Sequence, residues 1–391
     1  MRSVNRPRIL ILIKHYEPAF RFGGPIRSVV NLVAALHKEF EFKIVCLNRD
    51  FRETRPLDGI EEGVWLTRNG AQVCYLDVGL LRPFKLVKAI RSIDYDVVYF
   101  NSFFEPLFST LPALLMKIRL LKRRPIVMAP RGEFSPGALA LKSFRKVLFM
   151  RFQWLIGLYA DTYWQATSKL EVEDIKGVLG DTVRVRMAPD LSTKSLTIQE
   201  GRVKKPAGRL RIVFLSRISP MKNLLALIHA AERLHGSVNL DIWGPIDDAE
   251  YWRQCQKEMA LLPDNVVATY CGESRHELVP DVLGAADLFA LPTLGENYGY
   301  VIHEALSAGC PVVISDKTPW RNLAEIGVGF DVSLESNDHF VRSIQTFIDM
   351  DESEYGGYTE RCRNFAIRTS CSDTDIEAIK QMFTNALGNK Q

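Results

Sequence analysis

Leu288-Phe-Ala-Leu-Pro-Thr-Leu-Gly-Glu-Asn-Tyr-Gly-Tyr-Val-Ile-His-Glu-Ala-Leu-Ser-Ala-Gly-Cys-Pro-Val-Val-Ile-Ser315 reads as strand, loop, helix and strand. Leu288–Leu291 and Pro311–Ser315 are short apolar runs of the kind found in strands buried on both faces. Between them, Val301–Gly309 has helical character, with Gly309 placed to end the helix and Pro311 to open the next strand. The same alternation spreads outward in both directions. Upstream, Leu210–Ser216, Asn239–Trp243 and Val266–Tyr270 are further strand candidates separated by helical patterns. The first half repeats the scheme with Arg8–Lys14, Phe42–Leu47, Asp96–Phe100 and Ile126–Ala129. A helix over Ile26–His37 carries its apolar stripe on Val29, Val30, Leu32, Val33 and Leu36.

This rhythm predicts an α/β protein made of two tandem Rossmann-like, doubly wound parallel-sheet domains facing a cleft. Ligands of such sheets bind beyond the carboxyl ends of the strands, so chemistry is expected on the strand-to-helix loops. Leu191–Gly208 is polar and without periodicity, and reads as a linker. The predicted organisation is a first domain over 1–190, a linker over 191–208 and a second domain over 209–391 that includes a terminal helix.

Composition agrees with a folded protein. Of 391 residues, 47% are hydrophobic and 25% charged, which argues against a disordered chain. No run reaches the ~18 apolar residues of a membrane-spanning helix. The apolar start, Ile9–Ile13, is short and is followed at once by Lys14 and His15, so no secretion signal is expected. Seven dispersed cysteines show neither zinc-ligand spacing nor a disulfide framework, as befits a reducing cytoplasm. The net charge of +4 conceals an asymmetry. Residues 1–200 carry 31 Lys and Arg against 20 Asp and Glu, and residues 201–391 carry 19 against 26. The two halves are therefore expected to meet different partners.

Three loops stand out. Gly23-Gly24-Pro25 precedes the first helix, where glycine permits close backbone approach and the helix N-terminus offers free N–H groups to an anion. The plain alternative is a tight turn. Ser216-Arg-Ile-Ser-Pro-Met-Lys-Asn223 leaves a buried strand and places Arg217 and Lys222 five residues apart, a guanidinium fork and a point charge suited to one diphosphate. The third loop pairs Glu296 with Glu304 across a helix start. A loop carboxylate accepts hydrogen bonds from sugar hydroxyls, and the adjacent helix N-terminus cradles phosphate oxygens. A ligand that is part polyol and part phosphate fits both.

Taken together, Gly23-Gly24, the Ser-Arg-x4-Lys-Asn element and Glu-Asn-Tyr-Gly-x4-Glu-Ala-Leu-x2-Gly-x-Pro-Val resemble glycosyltransferase family 4. These are retaining enzymes of the GT-B fold. Pro292–Leu323, with Ser315-Asp-Lys-Thr-Pro-Trp-Arg321, is similar to a bacterial branch that builds surface polysaccharides such as lipopolysaccharide O-antigen, capsule or exopolysaccharide. The resemblance implies a nucleotide-sugar donor, linked to UDP or GDP, and a glycan acceptor carried on a lipid. It implies that Gly23 and Gly24 approach the donor diphosphate and that Arg217 and Lys222 neutralise it as it leaves. Glu296 would hold hydroxyls of the transferred sugar. Asn297, Tyr298 and Gly299 would present backbone N–H groups, and Glu304 would bind the ribose.

The chain departs from the family at Ala129-Pro-Arg-Gly-Glu-Phe134, where many relatives carry a histidine. Arg131 is the candidate catalytic replacement, with Glu133 beside it, and a plain helix-start salt bridge is the alternative. No cofactor is called for, and no metal: Asp94-Tyr-Asp96 precedes its strand, and Asp373-Thr-Asp375 reads as a helix cap. His15 and His303 read as structural. Two segments, Leu114–Arg124 and Lys142–Tyr159, mix cations with large apolar residues in the manner of basic amphipathic helices. They predict contact of the N-terminal domain with an anionic membrane surface, the inner face of the cytoplasmic membrane. No nucleic-acid motif is present. A nucleotide-sugar epimerase of the same fold and a non-catalytic nucleotide-sugar-binding module stay open at this point.

Overall fold

The computed structural model describes residues 6–140, 143–192 and 205–388. They divide into two compact units, the first drawn from Met1–Ser192 together with Cys371–Gln391 and the second from Thr193–Ser370.

The first unit runs β1 (Arg8–Leu12), α1 (Gly24–Leu36), β2 (Glu41–Leu47), β3 (Trp65–Arg68), β4 (Ala71–Leu76), α2 (Arg82–Arg91), β5 (Val97–Asn101), α3 (Leu111–Lys117), β6 (Ile126–Ala129), α4 (Pro136–Ala140), α5 (Ser143–Leu155), β7 (Tyr163–Ala166), α6 (Lys169–Leu179) and β8 (Arg184–Met187). Its sheet has the order β3-β4-β2-β1-β5-β6-β7-β8, parallel except for the β3–β4 hairpin. Helices cover both faces, which explains why β1 and β5 are apolar along their length. Val29, Leu32, Val33 and Leu36 of α1 pack on one face. Leu86 and Ile90 of α2, Met116 of α3 and Ile175 of α6 pack on the other.

The second unit runs β9 (Arg209–Leu215), α7 (Leu224–Ala231), β10 (Ser237–Trp243), α8 (Ala249–Met259), β11 (Val266–Gly272), α9 (Val279–Gly284), β12 (Leu288–Leu291), α10 (Tyr300–Ser307), β13 (Val312–Ser315), α11 (Leu323–Ile326), β14 (Gly329–Val332), α12 (Asn337–Asp349) and α13 (Glu352–Thr369). Its strands pair in parallel in the order β11-β10-β9-β12-β13-β14. The chain winds outward from β9 to β11, then returns to the centre at β12 and winds the other way. The reversal falls between β9 and β12, and in the first unit between β1 and β5. Such switch points are where doubly wound sheets bind ligands.

Two expectations are corrected here. The last helix, α14 (Asp373–Gly388), belongs to the first unit and not to the second. Ile379, Met382, Phe383 and Ala386 are buried in the first unit's core, and the Phe383 ring lies 5.6 Å from Phe40 and 5.7 Å from Tyr99. Cys371 N–H donates to Ser192 Oγ at 2.8 Å where the chain re-enters. Most of the expected linker, residues 193–204, lies outside the described residues. The second correction concerns the basic segment 114–124. Only its start is helical: α3 stops at Lys117, and Arg119 has a left-handed φ of 63°. The chain then turns in to bury Leu121.

Candidate functional site

In the second unit the site is built by loops from adjacent strands. β9 and β12 are neighbours, so the loops that follow them meet at the switch point. Leu294 N–H donates to Met221 O at 2.8 Å, and Thr293 Oγ1 to the same oxygen at 3.1 Å. This lock brings Lys222 against Glu296, whose Oε2 accepts from the Lys222 ammonium. Both side chains are largely buried, at 11% and 18% exposure. From the other side, Glu296 N–H donates to Lys317 O at 3.0 Å, and Ser315 Oγ to Thr293 O at 2.5 Å. The two residues expected to act on a donor are therefore held together in fixed geometry.

Arg217 has a carboxylate partner of its own. Its guanidinium donates to Asp247 Oδ2 at 3.0 Å, on the loop after β10. Arg217 and Lys222 thus each form an ion pair, on separate carboxylates. The β10 loop approaches closely because Gly244 has no side chain: a Cβ there would lie 1.9 Å from Ser216 O, at a φ of 139°. Sequence reasoning passed over Asp247 and Gly244; the Gly244-Pro245 pair is the signal that marks the turn.

Asn297, Tyr298 and Gly299 lead into α10. Gly299 has a left-handed φ of 77°, and a Cβ would meet Ile302 Cδ1 at 2.7 Å. As the residue that opens α10 it has no side chain to cap the helix; its carbonyl accepts from Ile302 N–H at 2.9 Å, and Glu296 lies beside it. Trp320 Nε1 donates to Tyr298 O at 2.6 Å and fixes this turn. Glu304 is one helical turn further on, and His276 Nδ1 stands 3.7 Å from its Oε1. Nothing in the local sequence pairs His276 with Glu304; the contact is set by the packing of α9 against α10. His303 is structural, as expected: its Nε2 meets Ala366 O at 3.1 Å, and burial lowers its pKa.

In the first unit, Gly23 has a left-handed φ of 70° and opens α1, with Pro25 in the first turn and no acidic residue there. A Cβ on Gly23 would touch nothing within 4 Å, so backbone conformation is what calls for glycine. Asp50 holds the preceding loop by accepting from the N–H groups of Phe20 at 2.9 Å and Arg21 at 3.1 Å. His15 follows β1; its Nδ1 meets Arg49 O at 2.8 Å and burial lowers its pKa.

Arg131 is corrected. Its guanidinium forms a buried ion pair with Asp190, at 8% and 6% exposure, and also donates to Tyr99 Oη at 2.6 Å. It braces the sheet in place of presenting a charge to a reactant. Glu133 turns the same way. Its carboxylate accepts from Ser102 Oγ and Phe103 N–H, both at 2.6 Å, and burial pushes its pKa up to about 7. The Asp-x-Asp elements are structural too. Asp94 and Asp96 pair with Lys122 and Arg8 at the amino end of β5, and Asp375 accepts from Ser372 N–H at the start of α14.

Residues 197–368, which hold the site of the second unit, match the family described as Glycosyl transferases group 1. Across 384 residues the chain is 22% identical to an Escherichia coli UDP-Gal:alpha-D-GlcNAc-diphosphoundecaprenol alpha-1,3-galactosyltransferase, covering 90% of this chain and 91% of that protein. Among solved structures it is similar to Anabaena HepE in complex with UDP and glucose, with a TM-score of 0.72, 18% identity and coverage of 97% and 100% of the two chains. It is also similar to WaaG, a glycosyltransferase involved in lipopolysaccharide biosynthesis, with a TM-score of 0.66, 14% identity and coverage of 96% and 99%. The fold is thus the expected one: two parallel-sheet α/β domains, like those of GT-B glycosyltransferases.

Proposed function

We propose that the chain is a retaining, metal-independent glycosyltransferase of surface-polysaccharide assembly. It moves a sugar from a nucleotide diphosphate to a glycan acceptor carried on a lipid. The observation that carries this reading is the Lys222–Glu296 pair at the β9/β12 switch point, beside the N-terminus of α10, which no side chain caps. Cleavage of the anomeric C–O bond leaves its electrons on the diphosphate. Negative charge grows there, and a preorganised ammonium and helix N–H groups stabilise it. Lys222 is that ammonium, Arg217 adds a second cation, and Glu296 takes hydroxyls of the sugar. Glu304 holds the ribose. These cations supply charge that a divalent ion supplies elsewhere. The acceptor hydroxyl attacks on the same face that the diphosphate leaves, and its proton passes to an oxygen of the departing diphosphate as the new bond forms.

The E. coli relative is named for a UDP-linked donor and a diphosphoundecaprenol-linked acceptor, and the Anabaena structure holds UDP. Both support a UDP-sugar here, with the second unit as donor domain and the first as acceptor domain. No helix among the described residues is long and apolar enough to cross a membrane. The lipid acceptor is instead met by surface contact. On α5, Phe144, Leu148, Phe152, Trp154 and Leu155 are all more than half exposed, with Arg151 among them. This pattern fits an anionic bilayer surface.

The test is a panel of UDP- and GDP-sugars incubated with the purified chain and a polyprenyl-diphosphate-linked acceptor, with the product read by NMR. Acceptor-dependent release of the nucleotide, an anomeric centre of unchanged configuration and activity undiminished by EDTA are expected. An inverted centre sinks retention, and rescue of an EDTA-inactivated enzyme by magnesium or manganese sinks metal independence. Conversion of the nucleotide sugar without acceptor makes the protein an epimerase.

A further inference from the structure

A cavity of ≈ 890 Å³ opens in the first unit at the amino end of its sheet. Its wall includes Ile126, Tyr163 and Arg184, the first residues of β6, β7 and β8. In parallel sheets substrates are bound at the carboxyl ends, so this amino-end cavity is separate from the proposed transfer chemistry. Lys117, Arg123, Arg124 and Arg184 line it, with Asp161 as the one carboxylate among the described lining residues. Lys117 Nζ donates to Gly157 O at 2.8 Å, and Arg124 Nε to Tyr95 O at 3.0 Å, which holds both stems in place. Arg123 meets Asp161 at 3.0 Å, with both side chains mostly in water.

The flanks of the cavity are apolar. Ile118 and Leu120, just beyond Lys117, are 55% and 53% exposed, and Trp154 and Leu155, just before Gly157, are 83% and 76% exposed. Helices α2, α3 and α5 all cover the same face of the sheet. A cationic hollow bordered by exposed large apolar side chains matches an amphiphile with an anionic head. Free phosphate makes no use of the apolar border.

We infer that this cavity is a binding site for the phosphodiester headgroup of an anionic glycerophospholipid, with the acyl chains lying along the apolar border. The inference rests on the membrane contact proposed above and gives it a defined seat. Arg123 and Arg184 hold the phosphate, and the bilayer surface meets Ile118, Leu120, Trp154 and Leu155.

The experiment titrates the full chain with short-chain phosphatidylglycerol below its micelle-forming concentration, with short-chain phosphatidylcholine and inorganic phosphate as parallel arms. Saturable binding of phosphatidylglycerol is expected, weakened on the order of tenfold or more by Arg123→Gln combined with Arg184→Gln. Ala160→Trp fills the cavity without changing charge and should block binding as well; Lys88→Gln, in a different groove, should leave it unchanged. Equal binding of phosphatidylcholine, binding of inorganic phosphate as tight as that of the lipid, or indifference to both cavity variants overturns the site. Sedimentation with phosphatidylglycerol vesicles separates the two readings. Vesicle binding without saturable headgroup binding overturns the site and leaves the membrane contact. Headgroup binding without vesicle binding supports the site and overturns the membrane contact.

Discussion

Lys222 and Glu296 face each other across a switch point, largely buried and each held by the other. In the function proposed above, Glu296 meets the sugar, which changes during bond cleavage, and Glu304 meets the ribose, which does not. Interactions that strengthen in the transition state set turnover, and uniform ones set mainly KM. Glu296→Gln should therefore lower kcat by on the order of 10² or more, and Lys222→Ala should do the same. Glu304→Gln should chiefly raise the donor KM. Steady-state kinetics on the three variants check this; near-normal kcat in Glu296→Gln with loss in Glu304→Gln reverses the assignment. Arg131 carries a different expectation. Truncating one member of a buried ion pair leaves the other uncompensated, so Arg131→Ala should cost about 3–5 kcal/mol of stability, read by urea unfolding. A fully stable, inactive Arg131→Ala would restore it as a catalytic residue. The spacing of the two glutamates was legible in the sequence because it lies within one loop and helix. Their partners were not. Which cation meets Glu296 depends on β9 lying beside β12, a long-range pairing that no local pattern encodes.

Among the elements, the strands buried on both faces were the readable ones. β6 and β12 fall where their apolar runs predict, because helices on either side leave no face for polar residues. β3, β4, β7, β8 and β14 were passed over. β8 is Arg-Val-Arg-Met on the sheet edge, largely exposed, and its two arginines disguise it. The segment after α3 deceived in the opposite sense, since helical spacing of Leu and Arg continues past the point where the backbone reverses at Arg119. The loops after β5 and β6 illustrate what a buried carboxylate does to an element. Glu133 ties the turn at 131–133 to the backbone of 103–104, and Ser102 beside it holds a φ of 130°. Burial raises the pKa of Glu133 from 4.5 to about 7, so the folded chain takes up a proton that the unfolded chain has already released between these values. The stabilisation from the neutral acid is complete below the unfolded value and is lost as pH rises through about 7. The melting temperature of wild type should accordingly fall relative to Glu133→Gln across this window. A pH-independent difference between the two proteins contradicts the shift.

At the scale of the whole molecule, the alternation of strand and helix was sufficient to predict two doubly wound units, and the charge asymmetry was sufficient to set them apart. The return of α14 to the first unit was invisible, because an amphipathic helix does not announce which core it completes. Phe383 is fully buried against Phe40 and Tyr99, so Phe383→Ala should destabilise the first unit by about 3–5 kcal/mol. Differential scanning calorimetry should show that loss in the transition of the first unit, while the transition of the second is unchanged. Equal losses in both transitions contradict the division. The same helix also sets an order of events during synthesis. Domains are generally completed from the N-terminus as the ribosome advances, but here the opening unit lacks part of its core until residue 388 has been made. Its nascent form carries an uncovered apolar face throughout the translation of the second unit. The first unit can therefore close its core only after the second has been translated, and a chaperone that shields apolar surface would find its substrate in that interval.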